Sequence, residues 1–356
     1  MYQRDEERVN NYRAKISTIE KEIADLKRRY LFQEIFDSVR DIERKLSRLV
    51  NDIRTVRQKG FVYGKDWENT VTDYNGELPG LKAAIQTESN NISNANSFVL
   101  NQTINEIASL HRDFETNPSN YYSYVDSMES KITPIKKIIS DAENKLKAMI
   151  QPMEEKLNKL SARIERVNDG FEYLEKATFK LLVGENLIDV WGAQYLKEGK
   201  KGPKGIIFLT DKRFRFEQNE DVVVSRRFLV VTKKEHIQKL LIDEPIGLIS
   251  SSKDTEKGIF LVHKEMLNLE FERGAKIRKA IFRTNIDSKE VDNILDSVIS
   301  GGIERDVTSE SKERKKEEKP LPKIDKCPAC GASFDRPIVK GMTHIKCKYC
   351  GKIINF

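Results

Sequence analysis

The chain has 356 residues, 38% apolar and 33% charged, and its 63 Lys and Arg against 56 Asp and Glu leave a formal net charge of +7. No run approaches the ~20 uninterrupted apolar residues of a membrane span, and the opening MYQRDEERVNNYRAK lacks the apolar stretch of a secretory signal. A mild cationic excess admits anionic partners without requiring them, while charge this dense suits long helices with solvated faces.

Residues 1–178 are written in heptads. Val9, Tyr12, Ile16, Ile19, Ile23, Leu26 and Tyr30 follow a 3-4 spacing that resumes, after a phase shift, from Ile35 to Val56. Such a seam must be buried against other helices. Lys59-Gly60 and Gly64 end the run. Residues 65–115 keep a poorer seam through Val71, Tyr74, Leu78, Leu81, Ile85, Ile92 and Val99, with Asn75-Gly76 and Pro79-Gly80 expected to break or kink it. From Asn117 the repeat returns: Val125, Ile132, Ile139, Leu146, Met153, Leu160 and Val167 recur every seven residues, and Tyr121, Met128, Ile135, Ala142 and Met149 fill the partner positions. Ser119 or Asn120 reads as the N-cap, and Pro134 and Pro152 should kink or interrupt the helix. Three segments of similar length with short connections favour an antiparallel bundle folded back on itself, with an intermolecular coiled coil as the rival arrangement.

Near residue 180 the period changes from helix to strand. LIDVWGAQYL, GIIFLT, RFRFEQ, DVVVSRRFLVV, IGLISSS, GIFLVH, LNLEFE and KAIFRT are short β-rich runs between Gly, Lys and Asp. SKEVDNILDSVISG closes them as a helix, with Ser288 as N-cap and Gly301 as stop. About seven strands and one terminal helix describe a small barrel or sandwich.

Lys204-Gly205, Leu209-Thr210, Arg213 and Phe216 match a "KG-x-hydrophobic-x-LT-x-x-R-x-x-F" hairpin, and residues ~180–300 thereby resemble a GRAM or pleckstrin-homology-like domain. The resemblance implies a barrel plugged by the terminal helix. By analogy with lipid-binding pleckstrin-homology domains, it also implies an anion or phosphoinositide site at Lys197, Lys200, Lys201 and Lys204 with Arg213 and Arg215. Lysine supplies mobile charge and arginine bidentate geometry for phosphate. A merely solvated hairpin loop is the plainer reading.

Residues 302–326 combine dense mixed charge with little apolar content and are expected to be a flexible linker that cannot pack. All four cysteines follow, as Cys327-x2-Cys330 and Cys347-x2-Cys350 sixteen residues apart. Two such knuckles point four thiolates at one position, and Gly331 and Gly351 stand where each turn needs a residue without Cβ. The tail resembles a zinc ribbon. It should hold one Zn2+, structural because four thiolates leave no open coordination position, and the metal should supply most of the folding free energy because some thirty residues cannot form a sufficient core alone. His344 is surplus to that ligand set. Paired thiols without an export signal suit a reducing cytoplasm.

No nucleotide-binding, metalloprotease or serine-hydrolase motif occurs, and the four histidines lack partner spacing. The sequence therefore predicts a multidomain chain. An N-terminal all-α elongated antiparallel helical bundle or coiled coil occupies 1–178, a central β-barrel or sandwich with a C-terminal helix 179–301, a charged linker 302–326 and a zinc ribbon 327–356. The expected role is a non-enzymatic cytoplasmic adaptor or scaffold, with a peripheral membrane location open to it. Its partners would be a protein, an anionic membrane surface, nucleic acid through the basic ribbon, or a second copy through the helices.

Overall fold

The computed structural model describes residues 2–196, 202–227, 230–257, 264–315 and 322–356. It divides into two compact units: residues 1–50 with 69–160, and residues 51–68 with 161–356.

Four helices run through the first unit: α1 Tyr2–Arg29, α2 Gln33–Gln58, α3 Trp67–Thr116 and α4 Pro118–Lys176. Their heptad seams are buried within one chain, as the folded-back reading expects. Ile16, Ile19, Ile23 and Leu26 share a core with Leu100, Ile107, Leu110 and Phe114 of α3 and with Val125 to Ile139 of α4. Surface pairs fix the directions. Lys15–Asp126, Arg29–Glu143 and Lys45–Asn158 join residues 111 to 114 apart, so α1 and α2 run parallel to α4. Arg13–Glu115, Lys82–Glu43, Lys145–Glu88 and Lys131–Glu106 show α3 antiparallel to both. The phase shift between the first two seams is a turn at 30–32, where buried Phe32 takes φ +49° and the Tyr30 hydroxyl donates to the Ser93 carbonyl.

Several local expectations are corrected. Neither Pro79, Pro134 nor Pro152 interrupts its helix. All three lie on the exposed side, so the core seam beside them stays packed while the lost backbone bond falls on the solvent side. The α4 helix begins at Pro118, which places Asn117 at the N-cap and proline at the first helical position. The α4 seam also departs from a strict heptad. After Leu146 the buried positions are Ile150, Met153, Leu157, Ile164 and Val167, while Met149 and Leu160 are only half-buried. That four-residue step is a stutter, the register correction a helix of 3.6 residues per turn needs against a 3.5 repeat. In α3, Val99 is exposed and Leu100 and Thr103 are buried instead.

In the second unit a seven-stranded antiparallel sheet runs in the order β4-β3-β2-β1-β7-β6-β5. Its strands are β1 Leu187–Tyr195, β2 Lys204–Thr210, β3 Arg213–Arg227, β4 Val230–Pro245, β5 Ile249–Lys257, β6 Lys264–Phe271 and β7 Lys279–Thr284. DVVV continues β3 rather than forming its own strand, and the polar stretch up to Pro245, not read as β from sequence, completes β4. The run GIFLVH at 258–263 lies outside the described residues. The sheet curls over its own face: Phe214 and Phe216 of β3 lie 5.8 and 5.1 Å, centroid to centroid, from Phe282 of β7, two strands beyond their neighbour β2.

The helix α5, Ser288–Ile299, packs on β5 and β6 through Val291, Leu295 and Val298. Asp287, not Ser288, caps it by accepting from the Lys289 N–H, and Gly301 takes the left-handed stop at φ +76°. Seven strands followed by one helix are the count and order of elements that the sequence leads one to expect. The outer face of β1 is buried as well: Leu187 and Val190 pack against Phe171 and Leu174 of α4, where a Cβ at Gly170 would come within 2.9 Å of both strand residues.

The start of the expected linker is packed. Residues Gly302–Asp306 form a 3-10 turn with Ile303 and Val307 buried. The Asp306 carbonyl accepts from the Lys65 N–H, and the Thr308 N–H donates to the Val62 carbonyl. A short helix, α6, Ser309–Lys315, follows. The few apolar residues of this stretch, Ile303 and Val307, are the ones inside.

A cysteine cluster and a ribbon docked on the sheet

The ribbon folds around its thiols. Gly331 N–H donates to Cys327 O and Gly351 N–H to Cys347 O, at 2.8 and 2.9 Å, and both glycines take φ +74°, which closes each knuckle. The short hairpin β8 His344–Lys346 with β9 Ile353–Asn355 carries the second knuckle in its turn.

All four sulfurs lie within 4.8 Å of one another, with Cys327–Cys350 at 3.6 Å and Cys330–Cys347 at 3.7 Å. Tetrahedral zinc, with Zn–S near 2.3 Å, requires sulfurs about 3.8 Å apart. Electrostatics agree. Backbone N–H groups, first that of Cys350 and also that of Tyr349, help hold the Cys347 thiol down to about 7. The Ala332 N–H favours the Cys330 thiolate, yet the neighbouring thiols, Cys350 foremost, push that group up to about 12. Four such groups cannot all ionise without a cation between them. Cys327, Cys330, Cys347 and Cys350 therefore fit one structural metal ion. His344 stands apart, exposed, with Nδ1 3.2 Å from the Thr343 hydroxyl.

The ribbon sits on one end of the sheet. Gly247 N–H donates to Lys340 O, Arg213 Nη1 donates to Gly341 O at 2.8 Å, and Lys340 pairs with Glu304. Contact is close enough to require glycine: a Cβ at Gly341 would fall 1.8 Å from the Lys212 carbonyl oxygen. No feature of the sequence announces this docking, because it joins positions as far as 128 residues apart.

The expected anion-binding set divides. Lys197, Lys200 and Lys201 lie outside the described residues, and Lys204 is exposed at the start of β2. Arg213 and Arg215 are interior. Arg215, 2% exposed, grips Glu185 through Nη1 and Nη2 at 2.5 and 3.0 Å and stacks over Phe179. Arg213 pairs through Nε with Asp243 and donates Nη2 to the Asp243 carbonyl. Both guanidinium groups are thus occupied as structural ion pairs, and the motif arginine belongs to the fold rather than to a free phosphate grip.

Other buried polar groups knit the same unit. Tyr63 of the α2–α3 turn donates to Asp211 Oδ2 at 3.0 Å, and Asn186 donates to the same carboxylate from its backbone and its side chain. Arg166 of α4 makes two bonds to fully buried Asp189 and pairs with Glu290 of α5. Burial pushes the Asp189 carboxyl up against the pull of Arg166.

No family model and no curated protein matches the chain. Among solved structures, the Vps36 N-terminal PH domain shares 17% identity over 34% of this chain and 86% of its own, with a TM-score of 0.22. PDZ-RhoGEF DH/PH domains, solved in complex with GTP-γ-S-activated RhoA, share 9% over 80% and 95%, at 0.25. The DH/PH domains of p115-RhoGEF share 12% over 83% and 91%, at 0.22. Likeness at these TM-scores carries no inference about partners or activity.

Proposed function

We propose that this chain is a non-enzymatic adaptor or scaffold. Its helices set spacing or self-associate, its β domain binds a protein or an anionic membrane surface, and its ribbon makes the contact with a protein partner. The observation that carries this reading is the two-sided ribbon. Its inner edge, Val339 to Gly341, is sealed on the sheet, whereas Tyr349, Ile353 and Phe356 are exposed at 68%, 51% and 38% among exposed Lys346, Lys348 and Lys352. Exposed aromatic and aliphatic groups ringed by charge are the composition of a protein contact site. A photoreactive residue at position 349 of the full-length protein, in the cells it comes from, should give a discrete crosslinked adduct that Ile353→Ser abolishes. Crosslinks only to abundant bystanders, unchanged by that substitution, would refute the reading.

One observation favours a second reading. Lys348 Nζ lies 5.4 Å from the Tyr349 ring centroid, beside two further exposed lysines, a pairing of stacking surface and charge that suits single-stranded nucleic acid. Oligonucleotide binding that weakens steeply with salt and disappears in a Lys346, Lys348, Lys352→Ser triple variant would establish it. Membrane binding is tested by flotation of the full chain with anionic vesicles, where Lys204→Glu should reduce recovery.

A further inference from the structure

A cavity of about 300 Å³ opens where the ribbon meets the sheet, at the lower end of the ~300–1,000 Å³ range of small-molecule sites. Its walls come from three places. The segment after α4 supplies Phe179 and Lys180, the sheet ends supply Arg213, Arg215, Asp243 and Lys276, and the ribbon supplies Arg336 and Thr343. Five cationic side chains line it against two carboxylates, Asp243 and Glu244.

The carboxylates are already engaged. Asp243 is shared by Arg213 and Arg215, and Glu244 accepts the backbone N–H of Lys276 at 2.8 Å. Among the described residues, the side chains of Lys180, Lys276 and Arg336 have no hydrogen-bond or ion-pair partner. Arg336 is nonetheless placed, since a Cβ at Gly274 would come within 1.4 Å of its Nη1. Exposed Lys180 and Lys276 and half-buried Arg336 face a partly enclosed space in which Glu244, close enough for Lys276 to favour its charged form, offsets them only in part, and a bound anion would add to that compensation. A planar guanidinium beside two mobile ammonium groups matches the tetrahedral oxygens of phosphate.

The geometry points to a binding site for a small phosphate monoester at the ribbon–sheet junction, with Lys180, Lys276 and Arg336 as its ligands. The source of the phosphate is a free metabolite or a lipid headgroup, and the chemistry is shared. Because Arg336 and Thr343 come from the ribbon, the site exists only while the ribbon is metal-bound and docked. It goes beyond the adaptor reading and does not depend on it.

Equilibrium dialysis of the full-length, zinc-loaded protein against radiolabelled inorganic phosphate provides the test. One saturable site per chain is expected. Lys180→Gln with Lys276→Gln, both exposed and safe for folding, should weaken it roughly tenfold or more, as should Gly341→Ala, which forces the ribbon off the sheet. Lys279→Gln, on β7 outside the cavity, should leave it unchanged. Binding that survives the double lysine substitution, or no saturable uptake by the unaltered protein, overturns the site. Phosphatidylcholine vesicles with and without phosphatidylinositol 4-phosphate then separate the sources: phosphate-competed flotation marks a headgroup, and phosphate uptake without flotation marks a soluble ester.

Discussion

The two units solve the problem of charge in different ways. In the helical unit charge stays outside: its buried polar side chains among the described residues are the uncharged Ser89 and Thr103, and pairs such as Arg13–Glu115 and Lys15–Asp126 are exposed, a class worth roughly 0–1 kcal/mol each. In the β and ribbon unit charge is built into the interior. Arg215 with Glu185, Arg166 with Asp189, and Tyr63 with Asp211 are buried or nearly so, and each joins segments more than 20 residues apart. The first unit is held by repetition, so its contacts are interchangeable; the second by singular polar contacts, each of which matters on its own.

The strongest way to sharpen this contrast is to remove the metal. Cys347→Ser or chelation should abolish binding of one zinc per chain, measured by metal analysis, and collapse the ribbon's NMR dispersion while the far-UV helical signal stays. Structural zinc contributes about 10–16 kcal/mol in isolated ribbon- and finger-sized units. A dispersed ribbon in metal-free protein would show that the ribbon folds without its metal.

Next comes the buried pair. Arg215→Met leaves Glu185 as a lone buried charge and should cost about 3–5 kcal/mol in denaturant unfolding of the β unit, and Arg215→Met with Glu185→Met should recover much of that loss. An additive double variant would deny that the pair acts as a unit.

Seam truncation is expected to cost similar amounts without any rescue partner. Leu146→Ala, at a fully buried position, should lose about 2–5 kcal/mol, and Met149→Ala much less, because the stutter moves Met149 off the seam. Equal costs would restore the strict heptad.

The smallest effect tests the sign of a titration. Burial raises the Glu244 carboxyl above its ordinary value. The folded state therefore binds that proton more tightly than the unfolded one, and this group's stabilisation is present at acid pH and lost as pH rises through the carboxylate range. Glu244→Gln, which keeps the acceptor for Lys276 N–H, should raise stability slightly at pH 7 and leave it unchanged below pH ~3. Destabilisation at neutral pH would show the carboxylate to be needed as a charge.

Much of the helical unit was legible because its information is local. A seam from Ile16 to Leu26, or from Val125 to Leu146, needs only the 3.6-residue period to be read. Pro79, Pro134 and Pro152 do not end their helices because the cost of a lost backbone bond depends on whether it faces core or solvent, which is decided only once the helices are packed. The cysteine site was equally legible, since its four ligands lie within 24 residues and their chemistry is specific.

Arg213 and Arg215 mark where local reading stops. An Arg-x-Arg on a strand looks the same whether it faces phosphate or Glu185 and Asp243, and the acids that decide lie about 30 residues away on either side. The start of the expected linker packs for a similar reason: two apolar residues, Ile303 and Val307, find burial that composition averages cannot show. By itself the sequence determined what period and short-range ligand spacing encode, namely helices, strands, a terminal helix and a metal knuckle pair. Only the tertiary structure decided which charges are neutralised, that the ribbon docks, and that charged side chains from three segments line one cavity, because the free energy of a charge is set by neighbours that the chain brings together from far apart.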